Sequence, residues 1–258
     1  FTACKSPDCV RCQKYLHVRQ GARSKLQYYL RSKDSKPLTK VILALDDHVS
    51  PRKYTMQNPN VFYLPGISAK PWWNESEVLF NEDLDLLRRN FNDIKREFQE
   101  ALKVQSSEEC SRYWSQNDTE SGKWNIFCFY NQGSKMRDNC LLCPKTCKLI
   151  EQLPHFMQNC IFGNALFSVL HPGTSIEEHY GPSNLRIRCH LGLDVPPRCA
   201  LTVAKESKTW TEGQCLLFDD SFLHCAENKS DEERAVLMLD LWHPYLSQPE
   251  RSALEHIF

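Results

Sequence analysis

The sequence predicts a mainly β fold with helices packed against it, a jelly roll or double-stranded β-helix, and three observations carry that expectation. Short β-prone runs succeed one another through the second half of the chain. Turn-forming clusters separate them. One run, LRIRCHLGL, puts three large polar side chains on a single face, which suits a polar pocket inside a barrel.

Taken in order, residues 1 to about 36 carry Cys4, Cys9 and Cys12, then the basic stretch RQGARSKLQYYLRSK, which is predicted as a short helix. Residues 1–55 therefore read as a cysteine-containing extension, and residues 56–258 as the main domain. From VILALDDHV to PGISAKPWW, prolines and a glycine interrupt runs such as VFYL, so extended segments and turns are expected. Leu84, Leu87, Phe91, Ile94, Phe98 and Leu102 then recur at steps of three and four. That spacing predicts one long amphipathic helix lying on a sheet, with Arg88, Arg89, Lys95 and Glu97 toward solvent. The strands follow: WNIFCFY, ALFSVL, LRIRCHLGL, ALTVA, QCLLF, FLHCA and AVLMLDLW, parted by PGT, GPSN, PPR, EGQ and DDS. In LRIRCHLGL the alternation places Arg186, Arg188 and His190 opposite Leu185, Ile187 and Cys189. Glu177 and Glu178 are expected in a solvated turn.

Composition narrows the function. Lysine plus arginine equals aspartate plus glutamate at 32 each, so no overall field draws the chain to nucleic acid or anionic lipid. No apolar run approaches the ~20 residues that cross a bilayer, and the start, FTACKSPDC, reads as that of an excised soluble fragment. Thirteen cysteines, with sequons at Asn74, Asn117 and Asn228, point to an oxidising lumen.

Two histidines, His179 and His224, with Arg234 a short strand beyond the second, have the makings of an iron site beside an anchor for a carboxylate. Iron takes neutral imidazole nitrogens, and a guanidinium grips a carboxylate with two parallel bonds. In most oxygenases using Fe(II) and 2-oxoglutarate, a carboxylate two residues after the first histidine completes the ligand set. Here that position is Gly181. An acid of FDDSF, Asp219 or Asp220, is a candidate for orienting a ligand. His171 and His243 read as structural, and Arg186 either recognises substrate or pairs with a surface acid.

HYGPSNLRIRCHLGL, EGQCLLFDDSFLH, LDLWHP, PGISAKPWW and CPKTC, separated motifs in one order, resemble the aspartyl/asparaginyl β-hydroxylase family from about Pro59 onward, most densely between Trp124 and Pro244. The resemblance implies a cupin-like double-stranded β-helix oxygenase that uses Fe(II), O2 and 2-oxoglutarate to hydroxylate a protein side chain. The β-carbon of Asp or Asn in a disulfide-rich domain is the substrate it suggests. It implies a lumenal catalytic domain in the endoplasmic reticulum or another secretory-pathway membrane, with any membrane anchor absent from this fragment. Matched residue by residue, His179 and His224 are the iron ligands. Ser168 and Arg234 bind the distal carboxylate of 2-oxoglutarate, Arg188 and His190 lie near its chelating end, and Trp124 is a further contact. Gly181 follows the family, which holds iron with two histidines and water. Leu166 departs from it, standing where the well-studied hydroxylase has a substrate-binding lysine. Cys140 and Cys147 match a disulfide, which leaves Cys143 as an extra. Cys4, Cys9 and Cys12 either form disulfides or, with a fourth sulfur, hold zinc or an iron–sulfur cluster. Two rival readings stay open: a binding module that keeps the pocket without turnover, and a small-molecule or lipid-linked hydroxylase of similar fold.

Overall fold

The computed structural model describes residues 15–31, 36–45, 55–77, 79–105, 110–117, 119 and 121–258. Cys4, Cys9 and Cys12, and the question of a metal or cluster there, lie outside them. The helices are α1 (Tyr15–Leu30), α2 (Thr39–Leu45), α3 (Asn81–Arg89), α4 (Phe91–Gln105), α5 (Cys110–Tyr113), α6 (Arg137–Leu142), α7 (Pro144–Gln152) and α8 (Gln248–Ile257). The strands are β1 (Trp72–Trp73), β2 (Trp114–Asn117), β3 (Trp124–Asn131), β4 (Ser134–Lys135), β5 (Ala165–Leu170) and β6 (Thr174–His179). They continue with β7 (Arg186–Asp194), β8 (Cys199–Val203), β9 (Glu206–Lys208), β10 (Cys215–Phe218), β11 (His224–Asn228) and β12 (Arg234–Trp242).

Two antiparallel sheets result. The larger runs β1-β10-β7-β12-β5-β3-β2, with β4 on β3, and the smaller runs β6-β11-β8-β9. From β5 to β12 the chain passes back and forth between them: β5, β7, β10 and β12 lie in the large sheet, and β6, β8, β9 and β11 in the small one. That interleaving is the double-stranded β-helix predicted from the short runs.

Alternation then divides the large sheet. Phe127, Phe129, Phe167, Ile187, Cys189, Leu237 and Leu239 share a core with Leu84, Leu87, Ile94 and Phe98 of α3 and α4 on the outer face. Between the sheets, Leu201, Val203, Phe218 and Val236 form another. The helical periodicity is real, but the helix is two. At Asn90 the backbone leaves helical angles (φ −101°, ψ 11°), and the Asn90 side chain donates to the Leu86 carbonyl at 2.8 Å, competing with the helix's own bonds. Glu97 is no solvent residue either: its carboxylate accepts the Lys145 and Thr146 amides at 2.9 and 2.7 Å, capping α7.

Glu177 and Glu178 are exposed in β6 rather than in a turn. TSIEEH does not alternate, so the strand is set by pairing with β11 and not by its own pattern. At the opposite end, Ala22 and Leu26 of α1 and Val41, Ala44 and Leu45 of α2 are buried with Trp242, Leu246, Leu254 and Ile257. The described part of the extension is thus packed into the domain.

Candidate active site

His179 ends β6 and His224 begins β11, and the two are cross-strand partners with ring centroids 4.1 Å apart. Each Nδ1 is 2.8 Å from the carbonyl two residues upstream, Glu177 and Phe222. A carbonyl only accepts, so each Nδ1 carries the proton and each Nε2 takes the tautomer of a metal ligand. Burial, and then the neighbouring His179, push the His224 pKa well below its ordinary value and keep that ring neutral. Among the described residues, no group of three or more His, Cys, Asp or Glu side chains is placed to hold a metal.

Gly181 explains the missing carboxylate. A Cβ built there would stand 2.4 Å from Asp220 Oδ2, because the Asp220 side chain fills that space, and the Gly181 amide donates to the Asp220 carbonyl at 2.6 Å. Of the two acids in FDDSF, Asp220 is the one at the histidines. Asp219 instead accepts the Ser221 amide and hydroxyl at 2.9 and 2.5 Å, and burial raises its pKa to about 7.

Asp220 belongs to a buried four-membered network. Arg186 engages Asp220 through Nε and Nη2 at 3.1 and 2.5 Å, reaches Asp240 at 2.9 Å, and donates to the Phe162 carbonyl. Arg188 donates to Asp240 at 2.9 and 3.2 Å and lies 3.1 Å from Asp220. Although burial works against ionisation, Arg186 and Arg188 hold the Asp220 pKa far below the carboxylate range. The acids that Arg186 pairs with are therefore buried ones, not a surface acid. Arg188, expected at the chelating end of the co-substrate, is a fixed member of this network. Asp240 is a residue that the sequence reading missed, although one acid inside the apolar run AVLMLDLW was a signal.

Arg234 differs. It is 2% exposed, and its Nε and Nη1 have no hydrogen-bond partner among the described residues. Its guanidinium lies 4.5 Å from the Trp210 ring centre, and burial lowers its pKa to about 10. On the neighbouring strand β5, Ser168 Oγ accepts from Trp124 Nε1 at 3.0 Å, so the Ser168 proton points elsewhere. Trp210 Nε1 donates to His190 Nδ1 at 3.1 Å, which puts the His190 proton on Nε2, a buried donor also without a partner. Burial, then Arg234 and Arg188, keep His190 neutral. Trp210 was not anticipated; nothing in SKTWTEG marks it. Phe218 joins the two halves, with its ring centre 5.0 Å from His190 and 5.7 Å from His224. Unsatisfied buried donors on Arg234 and His190, beside two oriented imidazoles, fit an anionic chelator bound next to a metal.

Other residues settle structurally. His171 contacts Asn125 and Glu233 at 3.0 and 2.9 Å, and His243 is buried edge-on to Trp73. Cys140 and Cys147 are free thiols within hydrogen-bond reach of each other, and Cys143 is buried, its thiol on the Glu97 carbonyl.

Comparison with known proteins agrees with this geometry. Residues 88–244 match the profile of the aspartyl/asparaginyl β-hydroxylases. Human aspartate β-hydroxylase domain-containing protein 2 is 40% identical over 264 residues, spanning all of this chain and 71% of that protein. Mouse domain-containing protein 1 is 39% identical over 79% of this chain and 56% of its own length. Human aspartyl/asparaginyl β-hydroxylase is 36% identical over 77% of this chain and 26% of its own length. With the profile covering more than half of the residues and a relative 40% identical over the whole chain, the chain belongs to the aspartyl/asparaginyl β-hydroxylase family.

Proposed function

We propose that the protein is an Fe(II)- and 2-oxoglutarate-dependent dioxygenase that hydroxylates a protein side chain. The observation that supports this most is the unsatisfied, buried guanidinium of Arg234 beside the oriented pair His179 and His224. A buried cation without a counterion is costly unless a ligand supplies one. His179 and His224 would hold iron through Nε2. Arg234 and the Ser168 hydroxyl would bind the distal carboxylate of 2-oxoglutarate, and the His190 Nε2 proton would meet its other end. Bound there, iron and 2-oxoglutarate would supply O2 activation, with succinate and CO2 as by-products. The protein's own part is placement: Trp124 fixes the Ser168 oxygen, Trp210 fixes His190, and the arginine–aspartate network holds Asp220 against Gly181.

Succinate release from purified protein given Fe(II), 2-oxoglutarate and O2 tests this reading. Turnover that disappears in His179→Ala is expected. No succinate in any condition, with iron and 2-oxoglutarate bound, would leave a binding module. Thirteen cysteines and the exposed Asn74 sequon support a secretory-pathway lumen as its compartment, tested by its sensitivity to glycosidase when expressed in cells.

A further inference from the structure

His179 and His224 stand where their own ladder is weakest. His179 is the last residue of β6 and His224 the first of β11, and the register between those strands shifts just after His224. A pairing that is irregular on one side and ends on the other fixes two side chains poorly. Residues 180–184 and 219–223, the turns next to the histidines, therefore need support from another part of the chain.

A segment distant in sequence supplies it. The Met56 carbonyl accepts the Leu223 amide at 2.9 Å and the Asn58 amide donates to the Ser221 carbonyl at 3.0 Å, so Gln57 lies opposite Phe222. Farther on, the Asn60 amide donates to the Gly181 carbonyl at 3.1 Å, and the Val61 and Phe62 amides donate to that of Pro182 at 2.9 and 3.0 Å. The Asn60 side chain adds a bond to the Tyr180 carbonyl at 3.1 Å. One stretch, residues 56–62, thus grips both the turn that leaves His179 and the turn that enters His224. It lies ahead of the residues matched by the family profile, which begin at 88.

Within this stretch Gln57 is 1% exposed, and its Nε2 donates to Ser221 Oγ at 2.9 Å. Ser221 Oγ donates its own proton to Asp219 Oδ1 at 2.5 Å, so the direction of both bonds is set. Phe222, gripped on either side, keeps its carbonyl for His224 Nδ1. Gln57 Oε1, by contrast, has no partner among the described residues, and a buried amide with an unmet acceptor costs stability. An apolar side chain of similar size would suit the interior better, which argues that the amide serves the site. We infer that residues 56–62 brace the two-histidine site, and that Gln57 is the positioning residue which, through Ser221 and the turn at Phe222, sets the His224 ring. This deepens the dioxygenase reading and rests on its two iron ligands, His179 and His224.

Gln57→Leu, which keeps the volume and loses the donor, tests this in the full chain through two readouts. In metal-free protein, long-range proton–nitrogen NMR of the imidazoles should show His224 as the Nδ1–H tautomer, and as a mixture of both tautomers in the variant. In calorimetric titration with Mn(II), the variant should bind at least about tenfold more weakly, the usual cost of losing a partner behind a metal ligand. Leu84→Ala, a cavity in the core under α3, is the control: it should lower the melting temperature and change neither readout. Should Gln57→Leu not fold, Asn60→Ala, at an exposed position, should weaken Mn(II) binding by about threefold through the His179 turn. An unchanged tautomer with unchanged Mn(II) affinity in the variant that folds would overturn the inference, and so would equal losses in Leu84→Ala. If the unmodified protein binds no Mn(II), the metal reading fails instead, while the His224 tautomer still judges the brace.

Discussion

Arg234 and Gly181 show two different ways in which one residue shapes the site. Arg234 presents donors that nothing among the described residues satisfies, so its replacement should act on the proposed co-substrate. Arg234→Met is expected to raise the 2-oxoglutarate KM by about a hundredfold, and Arg234→Lys, which keeps the charge but loses the planar fork, by about tenfold. Titration of 2-oxoglutarate against succinate release measures both. Gly181 acts through space. Asp220 cannot retreat, because Arg186 and Arg188 hold it, so Gly181→Ala should cost about 1–3 kcal/mol in urea unfolding, and Gly181→Asp should not create a third ligand. The histidines and Arg234 stood out in the sequence because their residue types suit that chemistry. The Asp220 contact did not: it joins positions 39 residues apart in sequence, and only the fold reveals it.

At the scale of elements, seven β-prone runs gave seven strands because alternation and turn residues agreed with the pairing that tertiary structure imposes. Strand β6 escaped notice, since its consecutive glutamates face solvent and only its partner fixes its register. Asn90 escaped for the opposite reason: the apolar spacing continues smoothly across a break made by a side chain. The Asn228 sequon is a third case, since local sequence suggested a modification that the element forbids. Asn228 is fully buried at the end of β11, and its Nδ2 donates to the Leu170, His171 and Glu232 carbonyls at 2.9, 3.2 and 2.8 Å. Its Oδ1 accepts from Ser230. Glycopeptide mass spectrometry after secretory expression should find Asn228 unmodified in folded protein, with the exposed Asn74 as internal comparison. Asn228→Ala should destabilise the fold by at least about 1–3 kcal/mol, because it strands three carbonyls.

Across the whole molecule, zero net charge conceals buried ionisable groups whose protonation the interior sets, and this shapes the response to pH. His243, in the turn between β12 and α8, is buried, and burial lowers its pKa to about 4. The unfolded chain binds that proton near pH 6.5. Between these values the unfolded state carries more protons, so the stabilisation is complete above pH 6.5 and is lost as pH falls toward 4. It amounts to roughly 3 kcal/mol. Thermal unfolding followed from pH 7 to 4.5 should show this slope, and it should flatten in His243→Gln.

The N-terminal helices make the last whole-molecule case. The composition of residues 1–55 suggested an appendage, yet Ala22, Leu26, Val41, Ala44 and Leu45 pack against Trp242, Leu246, Leu254 and Ile257. Lys40 extends this contact by pairing with Glu250 of α8 at 2.9 Å. A stretch can look detachable when its apolar residues are few, but here they complete a face that α8 alone leaves open. Removing residues 1–45 would expose that face. The effect should travel along β12, whose last residue, Trp242, belongs to the same cluster and whose first, Arg234, is the proposed anchor of the co-substrate. The truncated chain is therefore expected to unfold at least 5 °C lower, since losing several buried aliphatic side chains exceeds the ~2 kcal/mol that such a shift requires. It should also bind 2-oxoglutarate more weakly. A truncated chain with unchanged melting temperature and unchanged 2-oxoglutarate affinity would show instead that the helices merely rest on the domain.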